Sequence, residues 1–381
     1  LAKQMQAARD DPVVVFDYKG DYAEKGIYDP DDAVVLNRTD STHHWNVFRE
    51  ARDLEDYRAI ATALFADEIG REDDFFARAA RDVLDGCLRH LDADRSYPAP
   101  SNETLLEFLY PAPDADRPPY ARIYDELVGS PDRDTRALAS DLDPNSPETA
   151  ANVYQTLRQR VSEAFGREFG RADGDFSIRE YVADPRGRTL VLDVSGRGTD
   201  VAKPAFRVFL DWSIALAMED DSSRAHFVLD EFEKVGRLTK AADLITAGAS
   251  GGPQAVGGVQ SRAQIEAAYG DEATAILGNC PQKVLMRTDD DRDYVREQIG
   301  RSREADETAS YDQRRAEKSG LPLAGLFGDG PRTTVEEHYP IGEQEIASFD
   351  RGEAVVTTED GWGHGRVPLW SGLAQSTRRR L

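Results

Sequence analysis

The chain has 381 residues, enough for one large or two medium domains with real cores. It holds no apolar run approaching the ~18–20 residues of a membrane helix and no signal peptide, and its 2 cysteines, Cys87 and Cys280, exclude a cysteine-based zinc site. A net charge of -24 argues against nucleic acid as a partner in ordinary salt, because phosphates are bound by Lys and Arg. The kind of imbalance qualifies that exclusion. Lysine is nearly absent from residues 41–200 while aspartate abounds, the pattern of adaptation to high internal salt, where screening shortens to a few Å. The placement of individual arginines then matters more than the total.

In chain order, Leu1–Ala8 reads as the end of a helix stopped by Asp10-Asp11-Pro12. Val13-Val14-Val15-Phe16 is a buried strand running into Asp17-Tyr18-Lys19-Gly20-Asp21-Tyr22, and Val34-Val35-Leu36 is a second. The segment around Trp45-Asn46 closes this part at residue 50. Residues 51–183 then read as an all-helical insertion, with amphipathic patterns over Leu54–Phe65, Asp74–Leu91, Tyr120–Val128 and Thr149–Phe165 and a Pro-rich loop from Pro98 to Pro119. Residues 184–381 return to strands: Thr189–Val194, Phe227–Asp230, Ala255–Gln260, Lys283–Arg287 and Glu353–Thr357. Helices are expected at Pro204–Met218, Glu233–Thr246 and Ser261–Tyr269, and a mobile loop at 301–331. Alternating strands and helices imply an α/β fold with a parallel sheet.

The most informative stretch is Phe227-Val228-Leu229-Asp230-Glu231-Phe232. Its two acids emerge at the carboxyl edge of a buried strand, where open α/β sheets hold ligands. Neighbouring strand residues point to opposite faces, so the two carboxylates have separate jobs. In a nucleoside triphosphatase one holds Mg²⁺ and the other polarises the attacking water; the plain alternative is a solvated acidic turn. Asp17 with Asp21 and the amide of Gln260 are expected at the same rim, although Gln260 also fits an ordinary helix start beside Ser261.

Taken in order, these stretches resemble the type IV secretion coupling proteins, the TraD/TraG-like conjugation ATPases in the FtsK/HerA group of RecA-like hexameric motors. The matches are Val13 to Tyr22 (D-x-K-G-E/D in the family), Phe227 to Phe232 (its Walker B) and Gly258-Val259-Gln260-Ser261-Arg262-Ala263-Gln264 running to Tyr269-Gly270. The resemblance implies a RecA-like P-loop NTPase sheet with an inserted helical domain, using ATP and Mg²⁺. It implies Asp230 as the metal carboxylate, Glu231 as general base, Gln260 as γ-phosphate sensor, Asp17 assisting at metal and water, and Lys19 contacting the nucleotide. It further implies DNA, a relaxase or nucleoprotein substrate and channel components as partners, a homohexamer, and a cytoplasmic protein associated with the membrane through a segment outside this sequence. Two departures stand out. No G-x-x-x-x-G-K-[ST] loop occurs, which is read as truncation just after that loop. Ala249 stands where the family places a basic finger, a role left to Arg262 or Arg197, each better read as a surface or DNA-tracking residue. Alternative readings are a soluble HerA-like DNA translocase and an adaptor unable to use ATP.

Overall fold

Four apolar runs and a shorter, more exposed fifth build a parallel sheet: β1 (Val13–Asp17), β2 (Ala33–Asn37), β3 (Thr189–Asp193), β4 (His226–Leu229) and β5 (Gln254–Gly257), in the order β2-β3-β1-β4-β5. The computed structural model describes residues 11–367 except 21, 23–27, 29–31, 70–73, 95, 98, 113–116, 167–169, 171–173, 196–198, 220–223, 249–251 and 309–331. The expected helix end at Leu1–Ala8 therefore lies outside the described residues. Side chains alternate across β1: Val14 and Phe16 join the main core, while Val13 and Val15 pack with Val228 on the opposite face.

Between β2 and β3 every described helix-or-strand element is helical. The longest two are α2 (Phe75–Ala93) and α6 (Pro147–Phe165), with α1 (Leu54–Leu64) before them and α3 (Asn102–Leu109), α4 (Pro119–Val128) and α5 (Arg133–Ala137) between. In α2 the apolar positions Ala80, Val83, Leu84, Cys87, Leu88 and Leu91 recur at helical spacing and are buried. Helix α3 falls inside the stretch expected to be a Pro-rich loop. A reciprocal cap between Ser101 and Thr104 starts it, and burial of Leu105, Phe108 and Leu109 holds it, so packing overrides the flanking prolines.

The chain leaves and re-enters this block at two neighbouring points. Trp45 pairs with Phe176, and the short α7 (Ile178–Ala183) follows. The fully buried carboxylate of Glu50 ties the crossing together, accepting from both indole N–H groups, Trp45 at 2.8 Å and Trp212 at 2.7 Å. It also accepts from the backbone N–H of Ile178 at 2.7 Å and of Arg179 at 3.0 Å. The Tyr181 hydroxyl accepts from the N–H of Val13 and Leu190 and donates to the Val13 carbonyl, pinning α7 to the amino ends of β1 and β3. Helix α8 (Thr199–Glu219) begins five residues before the expected Pro204 and fills the core with Phe206, Phe209 and Trp212.

Beyond β4 the expected single helix is broken. A 3-10 turn over Phe232–Val235 ends at Gly236, whose φ of 87° no helix tolerates, and α9 starts only at Ala241 (Ala241–Gly248). Helices α10 (Arg262–Tyr269) and α11 (Glu272–Gly278) complete the unit that runs to Asn279.

Residues from Cys280 onward form a second unit, which corrects the expectation of a parallel sheet throughout. Here β6 (Lys283–Met286), β9 (Glu353–Thr358) and β10 (Gly361–Arg366) make an antiparallel sheet in the order β10-β9-β6. The two-residue connection Glu359-Asp360 enforces that direction, since parallel neighbours need a long crossover. Helices α12 (Arg292–Ile299) and α13 (Glu343–Ala347) supply Val295, Ile299 and Ile346 to its core. Ser302–Thr308, at the start of the expected mobile loop, instead form β7, which pairs antiparallel with β8 (Arg332–His338); the rest of that expected loop, 309–331, lies outside the described residues. Among the described residues, no helix is long and apolar enough to cross a membrane.

Candidate active site

Parallel register brings the expected rim together. Asp17 lies level with Asp193, and Phe16 with Leu229, so Asp230 follows at the height of Asp17. The Asp230 N–H donates to the Phe16 carbonyl at 3.2 Å, and the Gly258 N–H to the Leu229 carbonyl at 2.9 Å. Three separate chain segments therefore end at one edge of one sheet.

The centre of the rim is Glu231. Its backbone is left-handed, with φ 50° and ψ 55°, a conformation costing a non-glycine residue ~1–2 kcal/mol. The reversal is held by Phe232, whose N–H donates to Gly258 O at 2.9 Å and whose ring stacks on Tyr269 at 5.6 Å. It ends the strand abruptly and leaves the Glu231 side chain almost wholly buried at the edge. There the carboxylate forms an ion pair with the Lys19 ammonium and accepts from Gln260 Nε2 at 3.2 Å. A cation, an amide and a carboxylate from the ends of β1, β5 and β4 thus share one point.

Asp17 has a local task in this geometry. Its two carboxylate oxygens accept from the N–H groups of Gly20 at 2.8 Å and Tyr22 at 3.0 Å, which bends the loop that presents Lys19. Gly20, at φ 72°, lets that loop lie against Ser195; a Cβ there would sit 2.5 Å from Ser195 Oγ. Burial, with Asp193 and Asp17 nearby, pushes the Tyr28 phenol up to about 12. Asp21, Arg197 and Ala249 lie outside the described residues. Arg262 pairs with Glu266 one turn along α10, on its exposed side.

Asp230 is half-buried and stands beside the backbone of Gly258. Among the described residues no cluster of three or more His, Cys, Asp or Glu side chains is arranged to hold a metal. A single carboxylate suits Mg²⁺, which keeps its waters and substrate oxygens and seldom takes an all-protein cage. The residues present therefore fit a Mg²⁺ held jointly with phosphates, while no stretch of the sequence supplies the phosphate-cradling loop.

Sequence reasoning passed over Glu233. Both its oxygens are buried without a hydrogen-bond partner, and burial, with Glu231 and Asp230 nearby, pushes its carboxyl up. Three acids within residues 230–233 were the available signal. It also missed a polar strut behind the site. Asp67, in the turn after α1, accepts from the Arg237 N–H at 3.0 Å and pairs with buried Arg207 of α8. Tyr269 closes the same loop, accepting from the Leu238 N–H at 3.2 Å.

The family model for the type IV secretion-system coupling protein DNA-binding domain matches residues 1–361. The chain belongs to this coupling protein family. Coupling protein TraD of Escherichia coli (strain K12) is 25% identical over 281 residues, covering 71% of this chain and 36% of TraD, so the chain spans little more than a third of that relative. Among solved structures, the plasmid coupling protein TrwB in complex with ADP and Mg²⁺ has a TM-score of 0.72 at 19% identity, over 96% of this chain and 80% of that one. TrwB in complex with the ATP analogue ADPNP has a TM-score of 0.73 over the same shares. At these identities the likeness establishes the fold, a RecA-like P-loop NTPase sheet.

Proposed function

We propose that this coupling protein domain belongs to an ATP-driven motor that moves DNA or nucleoprotein into a type IV conjugative channel. Lys19, Asp230, Glu231 and Gln260 form the water-activating side of its hydrolytic site. The observation that carries this reading is the meeting of Lys19 and Gln260 on the Glu231 carboxylate, one residue after Asp230. Asp230 would hold Mg²⁺, which when bound would supply charge to offset that building up on the phosphoryl oxygens. Glu231 takes the proton of the attacking water, and the neutral Gln260 amide orients that water without adding charge. Lys19 occupies Glu231 until a phosphate competes for its ammonium, and Asp17 keeps the Lys19 loop in shape.

The motor is proposed to work as a homohexamer on DNA without sequence preference, with a relaxase or nucleoprotein as cargo, and to sit at the membrane through a segment outside this sequence. Because the 381 residues contain no G-x-x-x-x-G-K-[ST] loop, the test is made in a protein that carries this domain behind such a loop. Glu231→Gln there is expected to keep ATP binding and lose DNA-stimulated hydrolysis by about 10²–10⁴-fold, the range for a general base. Unchanged turnover would remove Glu231 from this role.

A further inference from the structure

Four consecutive backbone N–H groups just past the site end on side chains from other elements. Arg237 donates to Asp67 at 3.0 Å, Leu238 to the Tyr269 hydroxyl at 3.2 Å, and Thr239 and Lys240 to Asp211 at 2.9 Å and 3.1 Å. These acceptors belong to the turn after α1, to the last residue of α10 and to α8. Buried Arg207 supports both carboxylates. It pairs with Asp67, and its charge acts on Asp211 four residues along the same helix. Surface loops usually leave their amides to water, so four in a row held by distant side chains make this stretch a fixed point of the fold.

Tyr269 is the member of this clamp that reaches the site. Its ring stacks on Phe232 with centroids 5.6 Å apart and planes 19° from parallel. Its hydroxyl donates to the Gly236 carbonyl at 3.4 Å while accepting from Leu238. One buried side chain therefore holds both ends of the 3-10 turn Phe232–Val235. That turn opens with the Lys234 N–H donating to the Glu231 carbonyl at 2.7 Å, directly behind the left-handed Glu231. A strained non-glycine backbone persists only where its surroundings over-determine it. Gln260, just before the start of α10, meets the Glu231 carboxylate, so the two ends of one short helix fix Glu231 from its side chain and from its backbone.

Resting on the reading of Glu231 as general base, we infer that Tyr269 is its positioning residue. Tyr269 sets the direction of the Glu231 carboxylate toward the attacking water, and Asp67, Asp211 and Arg207 hold the loop against which it works. Because it acts through Phe232 and Gly236, its loss lowers turnover without weakening ATP binding.

Tyr269→Phe removes the hydroxyl and keeps the ring on Phe232, and it is read in two ways. In the 381-residue chain, hydrogen exchange of the Leu238 amide is expected to rise about ten-fold, the weight of one buried hydrogen bond. In a protein that carries this domain behind a G-x-x-x-x-G-K-[ST] loop, kcat for ATP hydrolysis is expected to fall about ten-fold with KM unchanged. Val161→Ala, a cut in the buried core of α6, lowers the unfolding midpoint and leaves kcat at wild type. Wild-type exchange at Leu238 in Tyr269→Phe would overturn the inference, and so would wild-type kcat in a protein that Glu231→Gln inactivates. Equal losses of kcat in Val161→Ala and Tyr269→Phe would assign the effect to stability and overturn it too. Unchanged turnover in Glu231→Gln would bring down the reading of the base, and the inference with it.

Discussion

Glu50→Gln keeps the size of a fully buried side chain and removes its charge. Four N–H groups converge on the native carboxylate, two from indoles and two from backbone. A glutamine oxygen serves two of them, and its own N–H₂ is turned against the other two. Stranding a buried donor costs ~1–3 kcal/mol, so two cost about 4 kcal/mol. Relief from burying a charge returns part of this, leaving a net loss of about 3 kcal/mol. Against a typical total of 5–15 kcal/mol that is a large fraction. Urea unfolding followed by tryptophan fluorescence is the natural assay, since Trp45 and Trp212 are themselves donors. At an m-value of about 3 kcal/mol/M the midpoint falls by about 1 M. An unchanged midpoint would mean that the indoles and amides find other acceptors, and that Glu50 does not stitch the helical block to the sheet.

The carboxyl of Asp211 on α8 gives a pH signature. Burial pushes it from 3.8 to about 6, against the opposing pull of the Thr239 and Lys240 N–H groups and of Arg207. A carboxyl raised in the folded state contributes stability that is complete below about pH 4 and is lost as pH climbs through about 6. The difference amounts to about 3 kcal/mol at 1.36 kcal/mol per pH unit. Asp211→Asn should flatten the stability profile between those limits, and a profile identical to wild type would refute the assignment. The charge of -24 predicts a salt response as well. Raising KCl from about 0.1 M to about 1 M shortens the screening length from ~10 Å to ~3 Å, and the thermal midpoint is expected to rise by about 4 °C or more. A midpoint that falls over that range would contradict high-salt adaptation.

The central strands were legible because β1, β3 and β4 are covered on both faces and spell continuous apolar runs. The long helices were legible because α1, α2 and α6 repeat their apolar residues at helical spacing. Asp230, Glu231 and Gln260 followed from where those strands end. What local pattern could not supply was anything decided by distant partners. Helix α3 depends on the core it fills, against flanking prolines that signal a loop. The left-handed turn at Glu231 depends on Gly258 and Tyr269, which hold Phe232 from other elements. The direction of β9 relative to β6 depends on a pairing across some seventy residues, invisible in either strand's own composition. Lys19 was placed at the nucleotide through family likeness; its ion pair with Glu231 required the fold.

The path of the chain just past Glu231 is a lodger in space left by another part of the protein. At φ 87°, Gly236 approaches Asp67 so closely that a Cβ would lie 2.9 Å from its carboxylate oxygen. The turn just past α1 and the segment carrying the acids are therefore cut to one another like key and ward. A shift of the helical block that moved Asp67 by an ångström would pull on Arg237 and thence on the strained peptide six residues upstream, with no long wire of side chains between them.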